Sequence, residues 1–236
     1  MQTIVKKATL VLGNPSVTDG LVAHFDGIWN AGLGRHDPTA TEWTDLVSGN
    51  HTISSAAISF APDALIIQSS AISINLNSDA AIKAISSGEF TIEVVGFIET
   101  FAAWRFHWIA DAPGNKSALN IDFMTHSEHG MFILAKLGNL ANVVSHGVDI
   151  APCAAYGNIV AHLSDQTTHN VSFYENARYQ SHRKCSVPLS PTTLYIDSVA
   201  KGPVGKYHVL RIYSRPISEA EITTNYEIDC NRFHLN

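Results

Sequence analysis

Two acidic residues at alternate positions could do chemistry near the carboxyl end of the chain: Glu227-Ile228-Asp229 is the only E-x-D in the sequence. Glycoside hydrolysis uses a pair of carboxyl groups, and a strand projects residues i and i+2 toward the same sugar. This segment instead has helical periodicity, in which positions i and i+2 do not share a face. We therefore interpret Glu227 and Asp229 as solvated helix residues, and we predict no catalytic residues and no enzyme activity.

A metal site and a thiol nucleophile are the next candidates. His126, Glu128 and His129 carry metal-ligating side chains, but on a strand positions 126 and 129 face opposite sides, and in a turn no third ligand lies nearby. A hairpin turn explains this segment more simply than a zinc site. Cys153 lies in an apolar run beside Pro152 with no recognisable base, which favours a buried thiol over a nucleophile.

Sugar binding needs an exposed aromatic ring against the pyranose and planar hydrogen-bonding groups around it. Trp29 is followed closely by Asn30, Arg35 and His36 in the loop after the second predicted strand. Further along, aromatic residues at 104, 106 and 108 alternate with Arg105 and His107, so a strand would put the aromatic side chains in the core and the polar ones outside. The candidate carbohydrate-binding residues are Trp29, Asn30, Arg35, His36, Arg105 and His107.

Composition bounds the class of protein. The chain has 236 residues, of which 45% are hydrophobic, enough for one large core. Its net charge of -6 comes from 15 basic and 21 acidic residues without long runs, which argues against a nucleic-acid partner. Three widely spaced cysteines indicate free thiols in a reducing compartment. The N-terminal apolar run is too short for a signal peptide or a membrane span, so we expect cytoplasmic synthesis and no membrane insertion.

Alternation of apolar and polar residues predicts an all-β fold with turn-forming residues at the spacing typical of an antiparallel sandwich. No strand-helix-strand rhythm is present, which disfavours a parallel α/β sheet. The predicted strands are 3–12, 21–25, 57–60, 65–67, 90–98, 104–109, 119–123, 131–135, 169–174, 193–196 and 207–213.

Two short helices interrupt the strands. Residues 78–86 are expected to form a small surface helix. Ser218 and Glu221 have the spacing of a capping box, and Ile217 and Ile222 flank it as a hydrophobic staple. This second helix is expected from Glu219 to about Cys230, with Ile222 and Tyr226 on the sandwich. Residues 148–165, interrupted by proline and glycine, are predicted to be a long loop with a short edge strand.

The two ends of the chain carry recognisable motifs. The opening has DGLVAHFDGI (19–28), GRH (34–36) and WTDLVSGN (43–50), and the closing segment has VLRIYSRPISEAEI (209–222), NYEID (225–229) and RF (232–233). FTIE (90–93) and FYENA (173–177) lie between them. Together these motifs resemble the concanavalin A-like lectin/glucanase proteins of laminin-G type. The chain departs from the pattern at Glu175-Asn176-Ala177, where Asn-Gly is expected, and in its aromatic segment 104–108.

The resemblance implies a single two-sheet antiparallel jelly-roll domain over residues 1–236, with a short internal helix and a C-terminal helix. It also implies a structural role for Trp43, which the family pattern itself carries. Some domains of this type hold a calcium ion at the rim, which makes calcium the candidate cofactor. Asp and Asn side chains also form turns by bonding their own backbone, and that alternative needs no ion. The candidate calcium ligands are Asp26, Asp45, Asn50 and Asp197.

The same resemblance points to proteins encoded by bacteriophages and prophages. We therefore expect a non-catalytic virion or surface protein whose lectin-like domain decorates a phage particle or binds host or mucosal glycans. Its partners would be glycans, capsid or tail proteins, and copies of itself in a closed oligomer. Its location would be the virion, after synthesis in a bacterial cytoplasm, or alternatively extracellular. A secreted or cell-surface carbohydrate-binding module and a divergent glycoside hydrolase are the alternatives.

Overall fold

The structure is a computed structural model, and it describes residues 16–68, 72–100, 106–110, 119–126, 130–137, 140–143, 153–163, 169–185, 190–198 and 204–235. Fifteen strands and two helices lie within these residues. The strands are β1 (Leu21–Asp26), β2 (Ile53–Ser54), β3 (Phe60–Ala61), β4 (Ala64–Ile67), β5 (Ile72–Asn75), β6 (Phe90–Thr100), β7 (Phe106–Ala110), β8 (Leu119–His126), β9 (Gly130–Leu137), β10 (Leu140–Val143), β11 (Cys153–Leu163), β12 (His169–Glu175), β13 (Arg178–Cys185), β14 (Tyr195–Ser198) and β15 (Val204–Tyr213). The helices are α1 (Asp79–Ser87) and α2 (Glu219–Phe233).

The strands form two antiparallel sheets. The first has eight strands, in the order β13-β12-β11-β6-β15-β4-β3, with β1 also paired to β15. The ten-residue β15 accommodates both β1 and β4, because residues 209–213 pair with β1 and residues 205–207 pair with β4. The second sheet has seven strands, in the order β10-β9-β8-β7-β14-β5-β2. This arrangement confirms the predicted all-β fold with one internal and one C-terminal helix.

One apolar cluster joins the two sheets and α1. It contains Phe25, Leu65, Phe90, Ile92 and Leu210 from the first sheet, Ile74 and Ile196 from the second, and Ala81 and Ile85 from α1. Period-two alternation on β6 explains its first-sheet share, because Phe90, Ile92 and Val94 all point to this core. The sheets are therefore stacked face to face as a β-sandwich.

Trp43 is fully buried within this cluster. Its ring lies 5.6 Å from that of Phe25, 6.0 Å from that of Phe60 and 5.7 Å from that of Tyr207. The indole N–H donates a hydrogen bond of 3.0 Å to the carbonyl oxygen of Asp26, which satisfies its one polar atom. These contacts confirm the structural role predicted for Trp43.

Part of the outer face of the first sheet is also buried, because α2 covers it. Ser218 and Glu221 form the predicted capping box at the helix start, and Ile217 and Ile222 belong to one buried cluster with Tyr213 of β15. The helix continues to Phe233, three residues beyond the predicted end at Cys230. Among the described residues, no helix is long and apolar enough to cross a membrane.

Three sequence predictions of secondary structure need correction or lie outside the described residues. The segment predicted as a loop with a short edge strand contains β11, an eleven-residue strand between β6 and β12. Its proline precedes the strand, and its glycine, Gly157, pairs within the sheet. The strand predicted at 57–60 is displaced to Phe60–Ala61. The strand predicted at 3–12 lies outside the described residues.

Candidate functional site

A network of buried charged side chains joins α2 to the first sheet. Arg211 of β15 donates two hydrogen bonds to the carboxylate of Asp229, of 2.7 and 2.8 Å, and a longer one of 3.4 Å to Glu93. All three side chains are fully buried. Burial alone would lower the pKa of Arg211, but the Asp229 carboxylate outweighs it and raises the pKa, so the guanidinium stays charged.

The prediction that Glu227 and Asp229 are both solvated is therefore wrong for Asp229. Both residues lie on α2, as expected, but only Glu227 is exposed. The sequence pattern misses this because the partner of Asp229 is 18 positions away, on another element. A buried carboxylate in a helix is stable only with such a partner.

The same network extends to Asp26 at the end of β1. Burial raises the pKa of Asp26, but its contact with His24 and the charge of Arg232 outweigh burial and lower the pKa below its usual range. Arg232 donates to Asp26 Oδ2 over 2.7 Å, and its guanidinium lies 5.1 Å from the ring centroid of Trp29. Burial lowers the pKa of His24, so this imidazole is neutral near pH 7.

The loop after β1 holds four of the predicted sugar-binding residues. Two of them already make contacts within the protein. Asn30 is fully buried, and its amide both donates to the Asp37 carbonyl over 2.7 Å and accepts from the Asp37 N–H over 2.8 Å. Trp29 is half-buried against Arg232. Arg35 and His36 are exposed, and the ring Nδ1 of His36 lies 3.2 Å from the carbonyl oxygen of Ile28. Of the four predicted residues in this loop, only Arg35 and His36 are therefore exposed.

The structure does not test the other two predicted sugar-binding residues. Arg105 lies outside the described residues, as does the side chain of His107. The backbone of His107 is in β7, in register with Asp197 of β14 in the second sheet. Arg105 and His107 therefore stay predictions.

The carboxylates of the predicted calcium ligands Asp26 and Asp45 accept hydrogen bonds from main-chain N–H groups. Asp45 Oδ1 accepts the N–H groups of His24 and Val47, and Oδ2 accepts the Ser48 hydroxyl over 2.6 Å. Asp26 Oδ1 accepts two main-chain N–H groups, from residues 28 and 29. Carboxylate oxygens that already accept N–H donors are poor ligands for a hard cation, so these two residues do not fit calcium.

The remaining metal predictions add no site. Asn50 is exposed, with its amide donating over 3.4 Å to the Asn77 carbonyl, and the side chain of Asp197 lies outside the described residues. In the part of the chain with described side chains, no group of three or more His, Cys, Asp or Glu residues could hold a metal ion. His126 ends β8 and is in register with Gly130 of β9, and residues 127–129, where the hairpin turn is predicted, lie outside the described residues.

A cleft that the sequence analysis did not assign lies between the β12–β13 turn and α2. It has a volume of about 330 Å³ and is lined by Glu175, Asn176, Arg178 and Tyr226. The turn forms through Asn176 and Ala177, which both have positive φ, of 49° and 57°. Such left-handed turns match the twist of a hairpin, although alanine is strained there. The sequence signal for this site was the departure from the Asn-Gly expected at this turn.

Aromatic side chains flank this cleft. The Tyr174 and Tyr179 rings meet edge to face at 5.6 Å, and Tyr179 is 48% exposed. The Tyr174 hydroxyl donates to Glu219 of α2 over 3.2 Å, and burial together with the Glu219 charge raises the pKa of Tyr174 to about 12. Burial also raises the pKa of Tyr226, whereas the nearby Arg178 charge opposes this. The cleft itself thus combines the phenol ring of Tyr226 with a cation, an amide and a carboxylate.

Comparison with known proteins shows the fold and no family. No protein-family model matches the chain, and no curated protein matches it in sequence. Among solved structures, Trypanosoma rangeli sialidase in complex with sialic acid is similar at 13% identity and a TM-score of 0.63, over 94% of this chain and 36% of that chain. This chain therefore spans about a third of the sialidase.

Botulinum neurotoxin domains are similar to the same extent. One structure, of type C, concerns cell entry through two ganglioside molecules and matches at 11% identity and a TM-score of 0.63. The binding domain of neurotoxin DC, in complex with rat synaptotagmin II, matches at 12% identity and a TM-score of 0.63. Each match covers 88% of this chain and 51% of the toxin chain. These matches show that the chain shares a β-sandwich fold with parts of these proteins.

The sialidase comparisons contradict the prediction that the chain is not an enzyme. Four of the similar structures are of sialidases, which are enzymes. A missing E-x-D-x-E pattern excludes only one arrangement of carboxylates, and glycosidases that use a tyrosine nucleophile do not follow it. The bacteriophage type of the resemblance finds no support among these structures.

Proposed function

We propose that this chain is a glycan-binding domain whose ligand occupies the cleft between the β12–β13 turn and α2. The cleft itself carries the proposal. Its volume of about 330 Å³ is at the small end of ligand-binding pockets. Tyr226 offers an aromatic surface for the apolar side of a sugar ring, and Asn176, Arg178 and Glu175 offer planar hydrogen-bonding groups.

Accessibility supports this choice of site, and the fold supports a glycan as the ligand. Asn176, Arg178 and Tyr179 are all exposed, so they are accessible to a ligand. In the loop after β1, by contrast, Asn30 is buried and Trp29 lies against Arg232. The sandwich is also shared with a sialidase bound to sialic acid and a neurotoxin that depends on gangliosides.

A glycan array followed by calorimetry on the best ligand tests the proposal. We expect Arg178→Ala to weaken binding roughly 10- to 100-fold, because hydrogen bonds to charged groups contribute about 1.5–3 kcal/mol. Arg35→Ala is the matched control, since it removes an exposed arginine from the loop after β1, and it should leave affinity unchanged. Binding of no glycan, or an effect of Arg35→Ala without one of Arg178→Ala, would overturn the proposal.

Glycoside hydrolysis is the second candidate function, and the likeness to sialidases favours it. If the chain cleaves a glycan, incubation with fluorogenic sialosides and other aryl glycosides releases the aglycone at a rate proportional to protein concentration. A Glu175→Gln preparation serves as the control for a contaminating hydrolase, because among the described residues Glu175 is the carboxylate that lines the cleft. A release rate that is identical in both preparations would count against hydrolysis in this cleft.

The virion location and the capsid or tail partners rest on the sequence resemblance alone. If they are correct, the protein sediments with intact particles and remains bound after a wash in high salt. If the alternative extracellular location is correct, the protein is found in the culture medium without particles. Immunoblotting of gradient fractions distinguishes the two.

A further inference from the structure

The charged side chains of the cleft are a hydrogen-bond acceptor and a hydrogen-bond donor. Glu175 ends β12 and is opposite Arg178, the first residue of β13, so their Cβ atoms are roughly 5 Å apart. Both residues line the cleft, together with Asn176 of the turn that joins them. An ionised carboxylate only accepts hydrogen bonds, and a guanidinium only donates them. A ligand group that contacts both side chains must therefore donate and accept at once.

A hydroxyl group meets this requirement, whereas a carboxylate does not. A sugar hydroxyl donates one hydrogen bond and accepts others, so it can bridge Glu175 and Arg178. A carboxylate on an acidic sugar would accept from Arg178 but would lie close to the negative charge of Glu175. The charges of the lining residues also cancel, because burial raises the pKa of Tyr226 and keeps its phenol neutral. The cleft therefore offers no net attraction to an anionic sugar.

The aromatic surface of the cleft has room for one sugar ring. Among the described residues, Tyr226 is the aromatic residue that lines the cleft. It is half-buried and packs against the cluster of Val95, Val209 and Phe233, so a sugar can stack only on the part of the ring that is left free. The volume of about 330 Å³ agrees with a ligand of one or two sugar units.

The start of α2 bounds the cleft on one side. The Tyr174 hydroxyl donates to Glu219 over 3.2 Å, and Ala177 packs against the buried cluster that contains Ile217 and Ile222. These contacts join the β12–β13 turn to the first turn of the helix, so the cleft does not continue as a groove in that direction. A long oligosaccharide can therefore enter with its end, but it cannot lie across the cleft with both ends free.

We propose that the cleft binds the terminal unit of a neutral glycan, whose hydroxyl groups bridge Glu175 and Arg178 while its ring stacks on Tyr226. The inference rests on the proposed function and names a ligand class for it. A terminal unit suits the site because an internal unit uses a further hydroxyl in a glycosidic bond. Sialic acid, which is bound in the similar sialidase structure, carries a carboxylate and falls outside this class.

Pairs of methyl glycosides that differ only at C6 test the charge of the ligand. The probes are the methyl glycosides of glucose, galactose and mannose and those of the corresponding uronic acids, titrated by ligand-observed NMR at 50 and 300 mM salt. We expect a neutral glycoside to bind roughly 10-fold more tightly than its uronic acid, with an affinity that salt does not change. An acid that binds as tightly as its neutral partner, or no binding by any neutral glycoside, would overturn the inference.

Glu175→Gln distinguishes the charge argument from a general effect on the fold. The substitution removes the anionic acceptor and leaves the charge of Arg178 unbalanced. The neutral glycoside should therefore lose roughly 10-fold in affinity, while its uronic acid loses less or gains. Glu42→Gln is the matched control, because it changes an exposed carboxylate in the loop after β1, and it should alter neither affinity. An equal loss for both members of a pair would contradict the charge argument.

Chain length tests the terminal position. A trisaccharide that carries the preferred sugar at its non-reducing end should bind about as tightly as the methyl glycoside, and one that carries it in the middle should bind more weakly. Equal binding of the two trisaccharides would overturn the terminal site. If Arg178→Ala weakens binding only of acidic or internal units, this inference is overturned and the glycan-binding cleft stands. If Arg178→Ala weakens no binding, both proposals are overturned.

Discussion

Asp229→Asn should unfold more easily than any exposed substitution on the same helix. In the wild type, the two Asp229 oxygens accept hydrogen bonds of 2.7 and 2.8 Å from Arg211, and both residues are fully buried. Asparagine has nearly the same shape but presents an NH₂ group where one of these oxygens was. That group is a donor facing another donor, so one of the two hydrogen bonds is lost together with the ion pair.

The size of this loss in stability depends on which partners Arg211 keeps in the variant. Breaking a buried ion pair by removing one partner costs about 3–5 kcal/mol, because the other charge stays buried without compensation. Arg211 keeps its 3.4 Å contact with Glu93, which compensates part of that charge. We therefore expect the lower end of the range, about 3 kcal/mol. For a chain of this size, this corresponds to a decrease in Tm of roughly 6–12 °C.

Urea denaturation, followed by far-ultraviolet circular dichroism, measures this loss. Glu227→Gln is the matched control, since Glu227 lies on the same helix but is exposed, and it should change the free energy of unfolding by about 0.5 kcal/mol at most. Combining Asp229→Asn with Arg211→Met should cost less than the sum of the two single losses, because the residues are coupled. A loss below about 1 kcal/mol for Asp229→Asn, or an equal loss for Glu227→Gln, would refute the buried ion pair.

Three other predictions concern stability. Gly27→Ala should cost roughly 1–3 kcal/mol in urea unfolding, because a Cβ there would meet the Asp63 carbonyl oxygen and the Ala64 Cα, and a loss below about 0.5 kcal/mol would contradict this close backbone approach. Hydrogen bonds from Arg215 lower the pKa of Glu221 to about 2 from 4.5, so its stabilising contribution is present above pH 4.5 and lost as the pH falls toward 2. Glu221→Gln should therefore flatten the dependence of Tm on pH in that window, and parallel Tm curves would contradict this. Trp43→Ala should cost about 3–5 kcal/mol, and intrinsic fluorescence of the wild type should shift to the red on unfolding, since Trp43 is fully buried.

Local patterns predicted the features of the fold that depend on a few neighbouring residues. The capping box at Ser218 and Glu221 needs only four positions, and it is present as expected. β11 was missed because its own sequence contains Gly157 and little alternation, and its pairing with β6 and β12 depends on distant parts of the chain. Asn30 was assigned to a sugar site because its side chain suits one. Only the folded loop reveals that the nitrogen and the oxygen of the Asn30 amide both bond to the main chain of Asp37.

The cleft could not be predicted as a unit, because its residues come from two elements 48 positions apart, Arg178 and Tyr226. The sequence nevertheless pointed to the turn that lines the cleft, since Asn176-Ala177 stands where the family pattern has Asn-Gly. Ala177 keeps a positive φ of 57°, and its methyl group packs against the cluster of Tyr213, Ile217 and Ile222. That contact offsets part of the backbone strain, which amounts to about 1–2 kcal/mol. The unusual residue is therefore explained by packing against the start of α2.

The buried charges under α2 also determine the position of Tyr226, the residue of α2 that lines the cleft. An apolar helix face formed by Ile222, Ile228 and Phe233 would tolerate small rotations and shifts along the sheet. Asp229 and Asn225 remove that freedom, because they must meet Arg211 and Glu93 at hydrogen-bonding distance. Tyr226 follows Asn225 directly, so fixing Asn225 against the sheet turns the phenol ring toward the β12–β13 turn. We infer that the network contributes orientation more than net stability, since buried ion pairs gain little over apolar packing.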